Sequence, residues 1–149
     1  MKTIGLSIAA LVVGLCGSVV AQESDDPALL GELLGFHGTE TIVLVMTTHC
    51  YETTGLDSSF KSAAENWYLR NVGFLELADR VIDRLGGQTP AEAEAARNYS
   101  GAQIMSAYNQ AEDKDGFCRG FLGQVEDGKL DIDQQLPQIL KQAQAIASE

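Results

Sequence analysis

Positive charge is scarce in this sequence. Ten Lys and Arg stand against 21 Asp and Glu, which gives a formal charge of −11 and an isoelectric point near 4.4. No cluster of Lys or Arg reverses that sign locally, so a phosphate backbone is repelled and nucleic acid is not an expected partner; anionic membrane surfaces are disfavoured for the same reason. A partner steered by charge is basic, although an acidic excess also serves solubility.

Catalytic and metal-binding motifs are missing too. There is no C-x-x-C, no C-x-x-C-H for haem attachment, no H-E-x-x-H and no G-x-S-x-G, so redox, zinc and nucleophile-elbow hydrolase chemistry lack a positive signal. His37 and His49 are the two histidines. His49 and Glu52 lie three apart, with Met46 three before His49, which is fewer ligands than a zinc site requires. Placing Gly116 at the sixth position of a calcium loop puts Ala111 first and Leu122 twelfth, where carboxylates are needed, so the acidic turn 112–116 reads as a solvated turn. The paired carboxylates Glu92 with Glu94 and Asp113 with Asp115 sit in acidic surroundings that suit an ordinary exposed surface. The expectation is a protein without catalytic residues, metal or cofactor.

What is present begins with an address. Met1 to Ala21 has one positive residue, Lys2, then an apolar stretch from Ile4 to Leu15, then small residues ending Val19, Val20, Ala21, the pattern of a cleaved secretory signal. Cleavage after Ala21 leaves a chain starting at Gln22, with no transmembrane segment expected in the mature protein and a periplasmic or secreted location. Acylation at Cys16 is the alternative address, though Leu15 departs from the small residue that a lipobox prefers before its cysteine. Either route leaves Cys50 and Cys118 as an even pair in an exported chain, and hence one structural disulfide. It closes a loop of about 70 residues, worth roughly 4 kcal/mol in the chain-entropy model.

Periodicity then predicts helices throughout 22–149. Asp25, Asp26 and Pro27 start a short helix bearing Leu29, Leu30, Leu33 and Leu34, which Gly35 to Gly38 ends. Ile42 to Met46 is a continuous apolar run in which strand and helix compete; with no second such run to pair with, a separate buried helix carrying Cys50 is expected. Asp57 and Ser58 cap a long helix whose apolar line runs Phe60, Ala64, Trp67, Asn71, Leu75, Ala78, Ile82 and Leu85, with Glu76 and Arg80 at ion-pair spacing, Gly73 as a kink point and Gly86 and Gly87 as the stop. Thr89, Pro90 and Glu92 form a capping box for a further helix with Ala95, Tyr99, Ala102 and Met105 facing inward, flanked by Ile104 and Tyr108. Gly116, Gly120 and Gly123 share a face of the Cys118 helix, which suggests close approach by a neighbour. Leu136, Ile139, Leu140, Ala143 and Ile146 define the last helix. The fold class expected is all-α, one irregular bundle of five or six helices stapled by one disulfide.

The segment Asn66, Trp67, Tyr68, Leu69, Arg70, Asn71 holds the single tryptophan. Trp67, Tyr68, Arg70 and Asn71 form the candidate binding patch, with a buried aromatic anchor and polar rim as the competing reading. Asn98, Tyr99 and Ser100 spell a glycosylation sequon, relevant in a eukaryote, whereas a bacterial envelope is the expected setting. In general type the chain resembles small two-cysteine helical periplasmic proteins, among them acid-stress chaperones and immunity proteins against secreted effectors. That resemblance implies action by binding another protein, as an immunity or inhibitor protein or in a stress-chaperone-like role. A helical carrier of a small apolar ligand, built on Trp67, Phe74 and Tyr99, is the second expectation.

Overall fold

The computed structural model describes residues 27–55 and 58–149. The signal segment 1–21, Cys16 and the cap residue Asp57 lie outside the described residues. Those described form six helices and no strand: α1 Pro27–Thr54, α2 Ser59–Arg84, α3 Pro90–Gln110, α4 Lys114–Glu126, α5 Ile132–Gln135 and α6 Pro137–Ala147. The all-α bundle with its single disulfide is therefore as the sequence predicts.

The first correction concerns α1, which is one helix where the sequence pattern suggests two. Gly38 is buried and acts as a contact surface, not a stop: a Cβ there would lie 2.5 Å from the Ser100 hydroxyl of α3. Removing the side chain lets two backbones approach, at a helix-propensity cost of about 1 kcal/mol. The β-branched run stays helical because its threonines spend their hydroxyls on the preceding turn. Thr41 donates to the His37 carbonyl at 2.8 Å and Thr47 to that of Val43 at 2.7 Å, so these two hydroxyls are satisfied within the helix. By length and composition α1 is apolar enough to cross a membrane, a property it shares with core helices; Leu33, Phe36, Val43, Met46 and Cys50 are fully buried.

Helix α2 follows its predicted line, burying Phe60, Ala64, Trp67, Asn71, Leu75, Ala78 and Ile82 and running unbroken through Gly73. Ser58 sits at its N-cap without a side-chain cap bond, and Glu76 and Arg80 form no ion pair. At its end Gly86 and Gly87 take φ of 106° and 79°, and the Gly87 N–H reaches back to the Ile82 carbonyl at 2.9 Å, a left-handed closure open to glycine. The capping box of α3 forms as read, with the Thr89 hydroxyl accepting from the Glu92 N–H and Glu92 accepting from the Thr89 N–H at 2.8 Å.

The inward face of α3 is as expected at Ile104, Met105 and Tyr108 and differs at Ala95, Tyr99 and Ala102. Ala95, Tyr99 and Ala102 are exposed, Tyr99 at 67%, while Ser100, Gly101, Ile104, Met105 and Tyr108 turn toward α1. The expected stripe takes every large or alanine side chain as core, whereas the contact is made by the smallest ones: a Cβ on Gly101 would touch Thr41 and Val45 at 3.7 and 3.8 Å. In α4 the glycine reading also changes, since Gly120 and Gly123 have open space around them and Gly116 lies beside its own cap residue, Asp113.

Helix α1 is the central element. It packs on α2, α3, α4 and α6, and a single cluster of buried apolar side chains joins it to α2, α4, α5 and α6. Cys50 in α1 bonds Cys118 in α4, with Cα atoms 5.6 Å apart and both residues fully buried. Replacing both cysteines by alanine is expected to lower unfolding free energy by up to about 4 kcal/mol, through the freed loop of the unfolded chain. Urea denaturation of the double variant beside the oxidised parent measures it, and equal midpoints would remove this account.

Candidate functional site

The candidate patch Trp67, Tyr68, Arg70 and Asn71 is divided by the structure. Trp67 is 1% exposed, and its indole N–H donates to the Leu130 carbonyl at 2.8 Å. Asn71 is fully buried: its amide nitrogen donates to the Trp67 carbonyl and to Asp131, and its oxygen accepts the Ile132 N–H at 2.7 Å. Arg70 grips Asp131 with two N–H groups at 2.8 and 2.9 Å and also donates to the Val125 carbonyl. These three residues strap the segment 127–132 onto α2. The Asp131 carboxyl is partly desolvated, which opposes ionisation, but the hydrogen bonds from Arg70 and Asn71 prevail and hold its pKa below the ordinary aspartate value. Tyr68, at 45% exposed, points outward beside the exposed Leu69.

His37 forms a second polar link that the sequence does not signal. Its Nε2 meets Asp79 of α2 at 2.7 Å and its Nδ1 meets Glu40 at 3.4 Å. Only the doubly protonated ring donates to both carboxylates. The hydrogen bond to Glu40, opposed by burial and assisted by Asp79, raises the histidine pKa above its ordinary value.

His49 lies edge-on to Tyr108, with ring centroids 4.5 Å apart, and Glu52 opens to solvent one turn on. Among the described residues no three His, Cys, Asp or Glu side chains gather into a group that could hold a metal. In the acidic turn, Asp113 caps α4 by accepting the Gly116 N–H, and Lys114 donates to the Tyr108, Asn109 and Ala111 carbonyls at 2.6–2.7 Å, closing the end of α3.

The feature that the sequence reading passes over is the outward line of α1. Leu44, Thr48 and Glu52, four residues apart, are exposed along a helix whose neighbouring positions are covered, and Leu44 is 46% exposed. Depressions flank that line. Toward α3 lies one of about 420 Å³ bounded by Leu44, Val45, His49, Glu52 and Met105. It continues past Val45 and Met105 into another of about 330 Å³ reaching Thr41, Arg97 and Gly101. Toward α2 a third, of about 250 Å³, is walled by Tyr51, Lys61, Ala64 and Glu65. The four-residue spacing of Leu44, Thr48 and Glu52 is the signal in the sequence, masked there by the unbroken apolar run around it.

No protein-family model, no curated protein and no solved structure matches the chain. Function is therefore argued from this geometry.

Two outcomes follow for the polar links. Asn71→Leu keeps the volume but leaves the buried Ile132 N–H without its acceptor, so stability should fall by about 1–3 kcal/mol in urea titration; an unchanged midpoint would show that the strap contributes nothing. For His37 the folded pKa is the raised one, so its contribution is complete below the unfolded value of about 6.5 and is lost as pH climbs through the folded value. The denaturation midpoint of the parent should decline over that alkaline interval more than that of His37→Gln, and parallel pH profiles would refute the linkage.

Proposed function

We propose that this is an exported protein, periplasmic or secreted, that acts without catalysis by binding another protein, in the manner of an immunity or inhibitor protein. A buried disulfide and an apolar N-terminal region are compatible with export. The observation that carries the binding reading is the exposed Leu44 of α1, set between open grooves on a helix that supplies much of the core. An exposed leucine alone is ordinary; one set at the junction of two grooves offers a partner both an apolar contact and a shape to fill.

The apolar-carrier reading has less support. Trp67 is sealed in the core with its N–H satisfied, and Tyr99 is exposed on α3, which packs against α1 instead of α2.

A photoreactive residue placed at position 44 of the full chain, in the cells that make it, should give a covalent adduct with another protein on illumination. The same residue at Glu76, on the outer side of α2, should not. Absence of an adduct from position 44, or identical adducts from both positions, would overturn protein binding through this surface.

A further inference from the structure

We infer that the groove between α1 and α3 receives a basic amphipathic segment of the partner, its apolar side chains on Leu44, Val45 and Met105 and its lysines or arginines gathered at the Glu52 end. This deepens the protein-binding reading and rests on it. The two depressions on the α3 side share Val45 and Met105, so they form one trough running from Thr41 to Glu52. At 1.5 Å per residue that run is about 16 Å, the length of about three turns of a docked helix.

Charge along the trough chooses the occupant and its direction. Gly38 meets Ser100, Gly101 meets Thr41 and Val45, and His49 meets Tyr108, so the residue numbers of α1 and α3 rise together and the two helices run parallel. Their C-terminal ends therefore lie at the same end of the trough; that of α3 is already met by Lys114, while α1 carries no basic residue in its last turn and presents its electronegative end there. Glu52 is exposed there and engaged by no basic side chain, and Glu65 is likewise free on the α2 side of the same line. Lys61, which lines the same depression as Glu52 and Glu65, is held over the Tyr51 ring at 4.5 Å, while Lys114 is committed to the α3 carbonyls. At the opposite end the rim carries Arg97. A segment with cations at one end is attracted to the Glu52 end and kept from lying reversed by Arg97. A second copy of this chain, with a charge of −11, opposes itself across such a contact.

The test selects random twelve-residue peptides displayed against the native full chain, then measures a synthetic winner by fluorescence polarisation. Apolar residues at helical spacing with Lys or Arg concentrated at one end are expected. Binding should weaken on the order of tenfold in Leu44→Glu and severalfold in Glu52→Gln, relax as salt rises, and stay unchanged in the distant control Glu126→Gln. Circular dichroism of each variant checks the fold. Acidic or neutral winners, or winners indifferent to Leu44→Glu and Glu52→Gln, overturn the inference. Failure to enrich any peptide while position 44 still cross-links to a protein overturns this occupant and leaves the protein-binding reading standing; failure of both experiments removes both.

Discussion

A helix with no charged side chain between Glu40 and Glu52 cannot stand alone in water, and the remainder of this chain is arranged around that constraint. Covering such a surface is the main favourable term available to a small domain. Helix α2 supplies a matching line from Phe60 to Ile82, and α4 supplies Phe121 and Val125 with the covalent tie at Cys118. Then α5 and α6 close one end with Ile132, Leu140 and Ala143. Each of these helices contributes fully buried side chains. Helix α3 contributes none, and its attachment through Ser100, Gly101 and Met105 leaves the C-terminal half of α1 only partly roofed.

The polar groups follow from the same packing. Segment 127–132 lies across the middle of α2 after the turn at Gly128, and backbone crossing a core brings N–H and C=O groups that need partners. Trp67, Arg70 and Asn71 supply them, so an amide residue occupies the middle of an apolar stripe. Several of the basic residues are engaged in similar contacts within the fold. Arg70 and Lys129 pair with Asp131 and Asp127, Arg84 holds the Ile146 carbonyl, and Lys114 closes α3. A sequence already poor in cations thus presents even fewer of them outward, and the excess of carboxylates dominates what an approaching molecule meets.

Much of the architecture is legible in the sequence where local chemistry and global packing agree. The capping box at Thr89, the glycine closure after Arg84, the α2 stripe and the cysteine pair are each fixed by short-range signals or by even counting, and all form as read. Readings fail where one residue type serves opposite ends. Gly38 is a helix stop when read locally and a contact point once α3 is present; Gly120 and Gly123 are contact points when read locally and face open space in the fold. Tyr99 and Ala102 match a helical stripe yet lie outside, because helix approach on that side is governed by the smallest side chains. The candidate site suffers most. Trp67, Arg70 and Asn71 are unusual enough to attract notice, but their unusual character is explained by a loop some 60 residues away, a partnership that no periodicity encodes.

The groove and the weak hold on α3 have a common origin. Had α3 carried leucines in place of Ser100 and Gly101, its axis would stand farther from α1, since contact side chains set the spacing between packed helices. Small residues bring α3 close along 38–45 of α1, and Tyr108 then has to meet His49 edge-on at the far end. Larger side chains line that end, Tyr108 against His49 and Met105 along the floor, where the depression has the greater volume. The change from glycine contact to aromatic contact thus shapes the trough, while Glu52 and the C-terminal end of α1 at one end and Arg97 at the other give it an electrical polarity. Shape and polarity arise from one packing choice, and both are properties that a stripe-by-stripe reading of separate helices does not contain.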